Sequence, residues 1–401
     1  MLLPPPGNAR ILIAAQFIHR LGNGAYLTTS ALFLTRSVGL SPAQVAAGLA
    51  IAAGVGMAAS TPMGYLADRL GPKRVLLATL ATLAVAFTGL TTVRDLWSFA
   101  LIACVLAVGD ASAKSATGAM VAAAVAPEER LRLRAFLRSA NNAGTGLGAL
   151  AGSLPLLLDT RAAYVTTLLA NAVFLLAAAA VVTRVRPIGP APARPTDEPR
   201  LVALRDKPFL GFALVDGFLA SLYNALLTFA LPLWLAHRAG APLWLVSAAL
   251  LINTVGCVLL QVWATNGTDG PADGARAGRR GAVIVAVACV LFAATAAAPV
   301  WLIVVLVVAA AVVHVLGELY LSTGTWAVIF GLAPDWAQGQ YQGAYLTGRQ
   351  IGNMVTPPLL TVLVLGGGGP GWVAVGAIFA AAGMVYPRLV GWGIRTRAVP
   401  A

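Results

Sequence analysis

Residues 64–74 read Gly64-Tyr65-Leu66-Ala67-Asp68-Arg69-Leu70-Gly71-Pro72-Lys73-Arg74, and they lie between two apolar runs. Each residue type has a use in that setting. Gly64 lets two helices approach closely, Asp68 and Arg69 set opposite charges at a membrane surface, Gly71 permits a sharp turn, and Lys73 with Arg74 anchor the loop. A loop that only obeyed a charge rule would need the two cations but not the glycines around Asp68-Arg69.

The rest of the chain agrees with a membrane setting. Of its 401 residues 59% are hydrophobic and 10% charged, with mean hydropathy +0.83, whereas soluble domains carry about 25% charged residues. A water-soluble globule is excluded. The 42 Gly and 24 Pro are scattered without a G-X-Y period, which also excludes collagen-like and disordered classes. A spanning helix takes roughly 20 apolar residues. Apolar runs fall at 11–35, 42–66, 74–93, 96–125, 136–158, 162–183, 209–236, 242–265, 281–298, 300–330, 343–365 and 372–391. The reading is an all-α polytopic membrane protein with twelve transmembrane helices in two pseudo-symmetric six-helix bundles. The first run continues to about Leu34 with no small-residue cleavage site and no basic residue before Arg10, so it reads as a retained helix and not a signal peptide.

Charge placement supplies orientation. With the N-terminus inside, 20 of the 27 cations fall in inside segments, among them Arg69, Lys73, Arg74, Arg130, Arg132, Arg134 and Arg138, while the outside loops hold only Arg36, Arg94, Arg161 and Arg238. The positive-inside rule then expects both termini in the cytoplasm. The net charge of +13 is thereby explained by the bilayer, without nucleic acid. Cys104, Cys257 and Cys289 each stand alone in an apolar run, as small buried hydrophobes.

Residues 184–208 carry Pro187, Pro190, Pro192, Pro195 and Pro199 with mixed charges. They read as a cytoplasmic linker between an N-terminal half, 1–183, and a C-terminal half, 209–401. Ala126-Pro127-Glu128 and Ala333-Pro334-Asp335 repeat at an offset of 207, and Phe17, Leu21 and Asn23 match Phe218, Leu222 and Asn224 at 201. This is the pattern of a duplicated transporter, with its site near the midplane.

With the span count, topology and half-repeat in hand, the 64–74 stretch resembles the loop between helices two and three of the major facilitator superfamily, G-x-L-a-D-R-x-G-R/K-R/K. Pro72 stands where that family usually has a basic residue. Lys114-Ser115-Ala116-Thr117-Gly118 is similar to the family's R-x-x-x-G element, with Lys in place of Arg. Gly144, Gly146, Gly148 and Gly152 resemble its glycine-rich antiporter motif without the Gly-Pro pair, so packing and a direction-determining role both stay open there. The resemblance implies alternating access, in which two halves rock about a cavity lined by helices one, four, seven and ten. It also implies that Gly64, Asp68, Arg69, Gly71 and Arg74 act in gating.

Inside the spans lie Arg20, Asp110, Lys114, Asp216, Glu318 and Arg349, with His19 and His314. Ionisable groups at that depth are costly and are usually paired or functional. Asp110 and Lys114, four apart, share a helical face and can pair internally or serve transport. The two histidines read as hydrogen-bonded packing residues. Three cations against three acids leave no spare Arg fork for a phosphate or polycarboxylate, so the expected cargo is a small neutral or cationic, partly apolar organic solute. Gln16, Asn23, Tyr26, Asn224, Asn253 and Gln350 are candidates to orient it, with Trp326 as a stacking face; Asn23 and Asn224 come first because the repeat matches them. Glu318 has His314 four residues back and Ser322 four residues on, neither a fixed cation. It is therefore the expected proton carrier, with Asp216 as substitute, unless Arg349 pairs with it.

The functional expectation is a secondary active transporter, proton-coupled and exporting, with a metabolite importer or uniporter as the alternative. A lipid-modifying membrane enzyme is less favoured, because H-E-x-x-H, G-x-S-x-G and acidic metal-binding runs are missing from the sequence. No cofactor or metal is expected. The expected partners are a solute, protons and the bilayer, and the protein is expected to be a monomer. Arg (24) far outnumbering Lys (3) is the usage of a GC-rich bacterial genome, which points to a bacterial cytoplasmic membrane.

Overall fold

The computed structural model describes residues 7–186, 192, 194–236 and 241–398. Positions 187–191 and 193 of the expected linker, and Arg238, lie outside the described residues. Among the described residues there are twelve long helices: α1 (Asn8–Leu32), α2 (Pro42–Leu70), α3 (Pro72–Leu90), α4 (Leu96–Ala124), α5 (Pro127–Ala151), α6 (Arg161–Thr183), α7 (Lys207–Ala225), α8 (Trp244–Leu260), α9 (Pro271–Ala294), α10 (Val300–Leu332), α11 (Gln338–Leu360) and α12 (Gly367–Ala398). Eight spans are long and apolar enough to cross a membrane, and one of these, Gln338–Arg397, covers both α11 and most of α12.

Local chemistry sets the boundaries. Ser41 and Gln44 form a reciprocal capping box at the start of α2, with Pro42 in the first turn, and Asp95 with Ser98 does the same for α4. Such caps satisfy N–H groups that the helix leaves unpaired. At Asp95 the hydrogen bond from the Ser98 N–H holds the carboxyl below its usual range. Gly71, at φ 92, makes the turn between α2 and α3 that a side chain with Cβ would resist. Three helices start earlier than hydropathy places them. α5 opens at Pro127 and not 136, α9 at Pro271 and not 281, and α11 at Gln338 and not 343. Their opening residues are polar or charged, with Glu128, Glu129 and Arg130 in α5, Asp273 and Arg276 in α9, and Gln338, Gln340 and Gln342 in α11, and two begin with Pro.

The chain packs as two compact units. The first runs to Ala203 and includes Pro334–Ala344; the second takes Leu204–Ala333 and Tyr345 onward. The segment 334–344, numbered in the C-terminal half, therefore packs with the N-terminal one. Within the first unit α1 packs on α5 and α6, α4 on α2 and α3, and α3 on α6. Within the second, α7 packs on α12, α10 on α8 and α9, and α9 on α12. Apart from the α1–α5 pair, that is the first pattern displaced by six helices. Both α1 and α7 also continue into a π-helical turn, Phe33–Ser37 and Leu226–Ala230. The second unit holds an aromatic core in which Trp372 meets Phe292 at 4.8 Å and Trp234 at 6.2 Å, while the Trp234 indole donates to Thr295 Oγ1 at 2.8 Å.

Candidate functional site

The 64–74 stretch lies at a seam inside the first unit. Asp68, in the last turn of α2, accepts hydrogen bonds from the Gly339 and Gln340 N–H groups at 2.7 and 2.9 Å. These are the free donors at the start of α11, where the helix dipole also favours a carboxylate. Gly64 lies one turn away, and a Cβ there would meet the Gly339 carbonyl oxygen at 2.1 Å; only glycine lets the backbones approach so closely. Lys73 donates to the Thr183 and Val185 carbonyls at 2.8 and 2.6 Å, closing the end of α6. Arg130 pairs with Asp335 at 3.0 Å. Arg69 and Arg74 are exposed, and Arg74 lines a groove of about 570 Å³ that is otherwise mostly apolar, bounded by Met63, Leu66, Leu101 and Val105.

A second cluster of the first unit joins α1 to α4. Lys114 pairs with Asp110, and Arg20 reaches the same carboxylate at 4.0 Å. The Lys114 and Asp110 side chains are each 38% exposed, whereas that of Arg20 is 16% exposed. Its Nε is buried with no hydrogen-bond partner among the described residues. His19 is buried next in sequence. Nearby on α1, Gln16 donates to Asn141 Oδ1 at 3.3 Å, and Asn141 to Asn142 Oδ1 at 3.3 Å. Gly144 of α5 packs against the α1 backbone over Arg20 Cβ, which gives the α5 glycines a packing use.

The second unit buries two acids differently. Glu318 is 6% exposed. Its carboxylate accepts from Asn253 Nδ2 at 2.5 Å and from Cys257 Sγ at 3.9 Å, with His314 Nδ1 at 3.8 Å. The other ring nitrogen of His314 lies 2.9 Å from the Tyr223 carbonyl, so the histidine does have a packing bond. Asp216, 1% exposed, accepts from Thr325 Oγ1 at 3.0 and 2.9 Å, and Tyr386, Tyr345 and Arg349 lie near the same carboxyl. Arg349 is further tied down by Ser221, whose hydroxyl donates to the Arg349 carbonyl at 3.0 Å.

The residues expected to orient a solute are dispersed. Asn253 holds Glu318, Gln16 holds Asn141, and Gln350 accepts from Asn353 at 3.3 Å. Tyr26 packs edge-on against Phe87 at 4.8 Å, and Trp326 against Phe330 and Tyr345 at 5.9 and 6.1 Å. Asn23 is half-buried but Asn224 is exposed, so matched positions in the repeat have unmatched surroundings. Sequence reasoning missed Asn141 and Asn142, although an Asn pair among glycines and alanines is visible in the sequence. It also missed Thr325, Tyr345 and Tyr386. Nothing local marks these three, since they meet Asp216 from three other helices. Among the described residues no group of three His, Cys, Asp or Glu side chains is placed to hold a metal ion.

Comparison with known proteins follows the fold. A sequence model of the Major Facilitator Superfamily matches residues 12–357. Three solved structures resemble the chain over nearly its whole length. A bacterial homologue of the iron transporter ferroportin, in an outward-facing state, has TM-score 0.76 at 14% identity, covering 97% of this chain and 99% of that one. The human organic anion transporter MFSD10 (TETRAN) has TM-score 0.70 at 15% identity, covering 95% and 100%. The E. coli fucose:proton symporter FucP, as its N162A variant, has TM-score 0.71 at 15% identity, covering 95% and 98%. No curated protein sequence is similar enough to count as a relative.

Proposed function

The chain belongs to the major facilitator superfamily, a family of membrane transporters, and on that premise we propose that it is a proton-coupled exporter of a small organic solute. Glu318 carries the proton in this reading. The observation behind it is the buried carboxylate of α10, held by the Asn253 carboxamide at 2.5 Å and next to the His314 imidazole at 3.8 Å. An acid in a span with partners of this kind can gain and lose a proton as its surroundings change. Arg349, the competing partner for Glu318, lies near Asp216, which supports Asp216 as the structural acid of the pair. Asp68, on the α11 N-terminus, is the gating contact in the same reading. The protein sits in a bacterial cytoplasmic membrane with both termini inside, on the charge asymmetry of its loops.

The whole-chain charge balance that favours a neutral or cationic solute does not hold unit by unit. Arg20 and Lys114 face one acid in the first unit, and Arg349 stands with Asp216 and Glu318 in the second.

The test uses proteoliposomes with an imposed pH gradient and a solute found by screening proton flux. Glu318→Gln should lose gradient-driven accumulation and keep solute exchange without a gradient. Accumulation that persists removes Glu318 from coupling. The sign of the gradient that drives accumulation separates export by exchange from the symport of the fucose transporter that the fold resembles.

A further inference from the structure

Arg20 of α1 and Lys114 of α4 converge on a single carboxylate, Asp110 of α4. Lys114 takes that carboxylate in direct contact. Arg20 stands off at 4.0 Å, beyond hydrogen-bond distance, so of two cations only one has its charge met closely. The cluster keeps an excess of one positive charge.

The guanidinium is also under-used. It offers five N–H donors in a planar fork, yet its side chain is only 16% exposed and its buried Nε has no acceptor among the described residues. A donor withdrawn from water without an acceptor is costly. Gln16, one turn back on α1, donates its Nε2 to Asn141 Oδ1 and does not accept from the Arg20 Nε. The cluster is nonetheless reachable, since Lys114 and Asp110 are each more than a third exposed beside it. An open approach, an unmet positive charge and a fork lacking an acceptor are the requirements for binding an oxyanion. Arg suits a planar carboxylate in a way a point-charge Lys does not.

We propose that Arg20, with Lys114 held at its side by Asp110, is the recognition site for a carboxylate group on the transported solute. This rests on the reading of the protein as a solute transporter and names the substrate class at its first-unit cluster. Asp110 is a positioning residue here: it keeps Lys114 in place and cancels one of the two charges, so that a monoanion, and not a polyanion, completes the balance. The Gln16–Asn141–Asn142 carboxamide chain beside it is available for neutral polar parts of the same solute.

The experiment measures binding to the full chain in lipid nanodiscs, with no gradient, so that its outcome does not depend on proton coupling or on Glu318. The probes are matched trios: benzoate, benzamide and benzylamine; indole-3-acetate, indole-3-acetamide and tryptamine. Thermal unfolding finds binders and calorimetry gives their dissociation constants. At least one carboxylate should stabilise the protein more than its amide and its amine. Arg20→Gln should weaken that carboxylate at least tenfold, Arg20→Lys and Lys114→Gln less, and Arg36→Gln, in an ion pair outside the cluster, not at all. Should Arg20→Gln fail to fold, Arg20→Lys and Lys114→Gln carry the same comparison. The proposal is overturned if an amide or amine binds as well as its carboxylate, if no carboxylate binds at millimolar concentration, or if the Arg20 and Lys114 variants bind as the parent does.

Discussion

The acids of α4 and α10 occupy nearly matched places in the repeat, since the 207-residue offset carries position 110 to 317, beside Glu318. Their surroundings are opposite in kind. Asp110 is half-exposed and compensated by charge, with Lys114 in contact and Arg20 at 4.0 Å. Glu318 is buried, and a carboxamide, a thiol and an imidazole meet it. A fixed ion pair neutralises an acid once and for good, whereas hydrogen-bonding neighbours can serve either protonation state. Nearly matched places in the two units thus hold an acid met by cations in the first and an acid met by hydrogen-bonding neighbours in the second. Asp68 extends the contrast, because it too is compensated by fixed polarity, the N–H donors of α11.

Four experiments break or sharpen that contrast. The largest effect is expected at Asp68. Asp68→Asn keeps the side chain's shape but removes the charge that the α11 N-terminus stabilises, so turnover at equal abundance should fall at least about tenfold while insertion is normal. Unchanged turnover would reduce the motif to a membrane anchor, and Pro72 would be the residue to restore to a basic one. Next is Asp110→Asn, which leaves Arg20 and Lys114 facing each other. The expected loss is about 2 kcal/mol in thermal or denaturant unfolding, below the roughly 3–5 of a fully buried broken pair because this one is half open to solvent. Adding Lys114→Gln should recover most of it, and a stable single variant would show that charge compensation does not define the first unit.

In the second unit Thr325→Val removes the hydroxyl that bonds both oxygens of Asp216. A loss of about 1–2 kcal/mol is expected for a buried acceptor deprived of a donor, and an effect near zero would mean that the tyrosines and Arg349 suffice. The smallest effect belongs to an acid outside the spans. The Tyr164 hydroxyl, donating at 2.5 Å, and Arg36 hold the Asp159 carboxyl below its usual range. Because the folded value is the lower one, the contribution is present above the ordinary carboxylate range and is lost as pH falls through the folded value, below about pH 4. Asp159→Asn should lower stability slightly at neutral pH and converge with the parent in acid, so that the acid limb of the stability profile is flatter.

The membrane class, the helix count and the motif loop were legible in the sequence because each depends on residues close together in the chain: runs of apolar side chains, caps such as Ser41–Gln44, and the Gly71 turn. Helix starts at Pro127, Pro271 and Gln338 were misjudged because hydropathy reports contact with lipid, and these helices continue past it in charged or amide residues. The sequence also shows which ionisable groups stand inside its apolar runs. It could not determine their pairing. Arg349, a candidate partner for Glu318, lies near Asp216; Asn253, a candidate for solute, donates to Glu318; and Pro334–Ala344 packs with the first unit. These outcomes join residues tens to hundreds of positions apart. Helical periodicity fixes where a side chain stands on its own helix, and only the packing of one helix against another decides which side chain it meets.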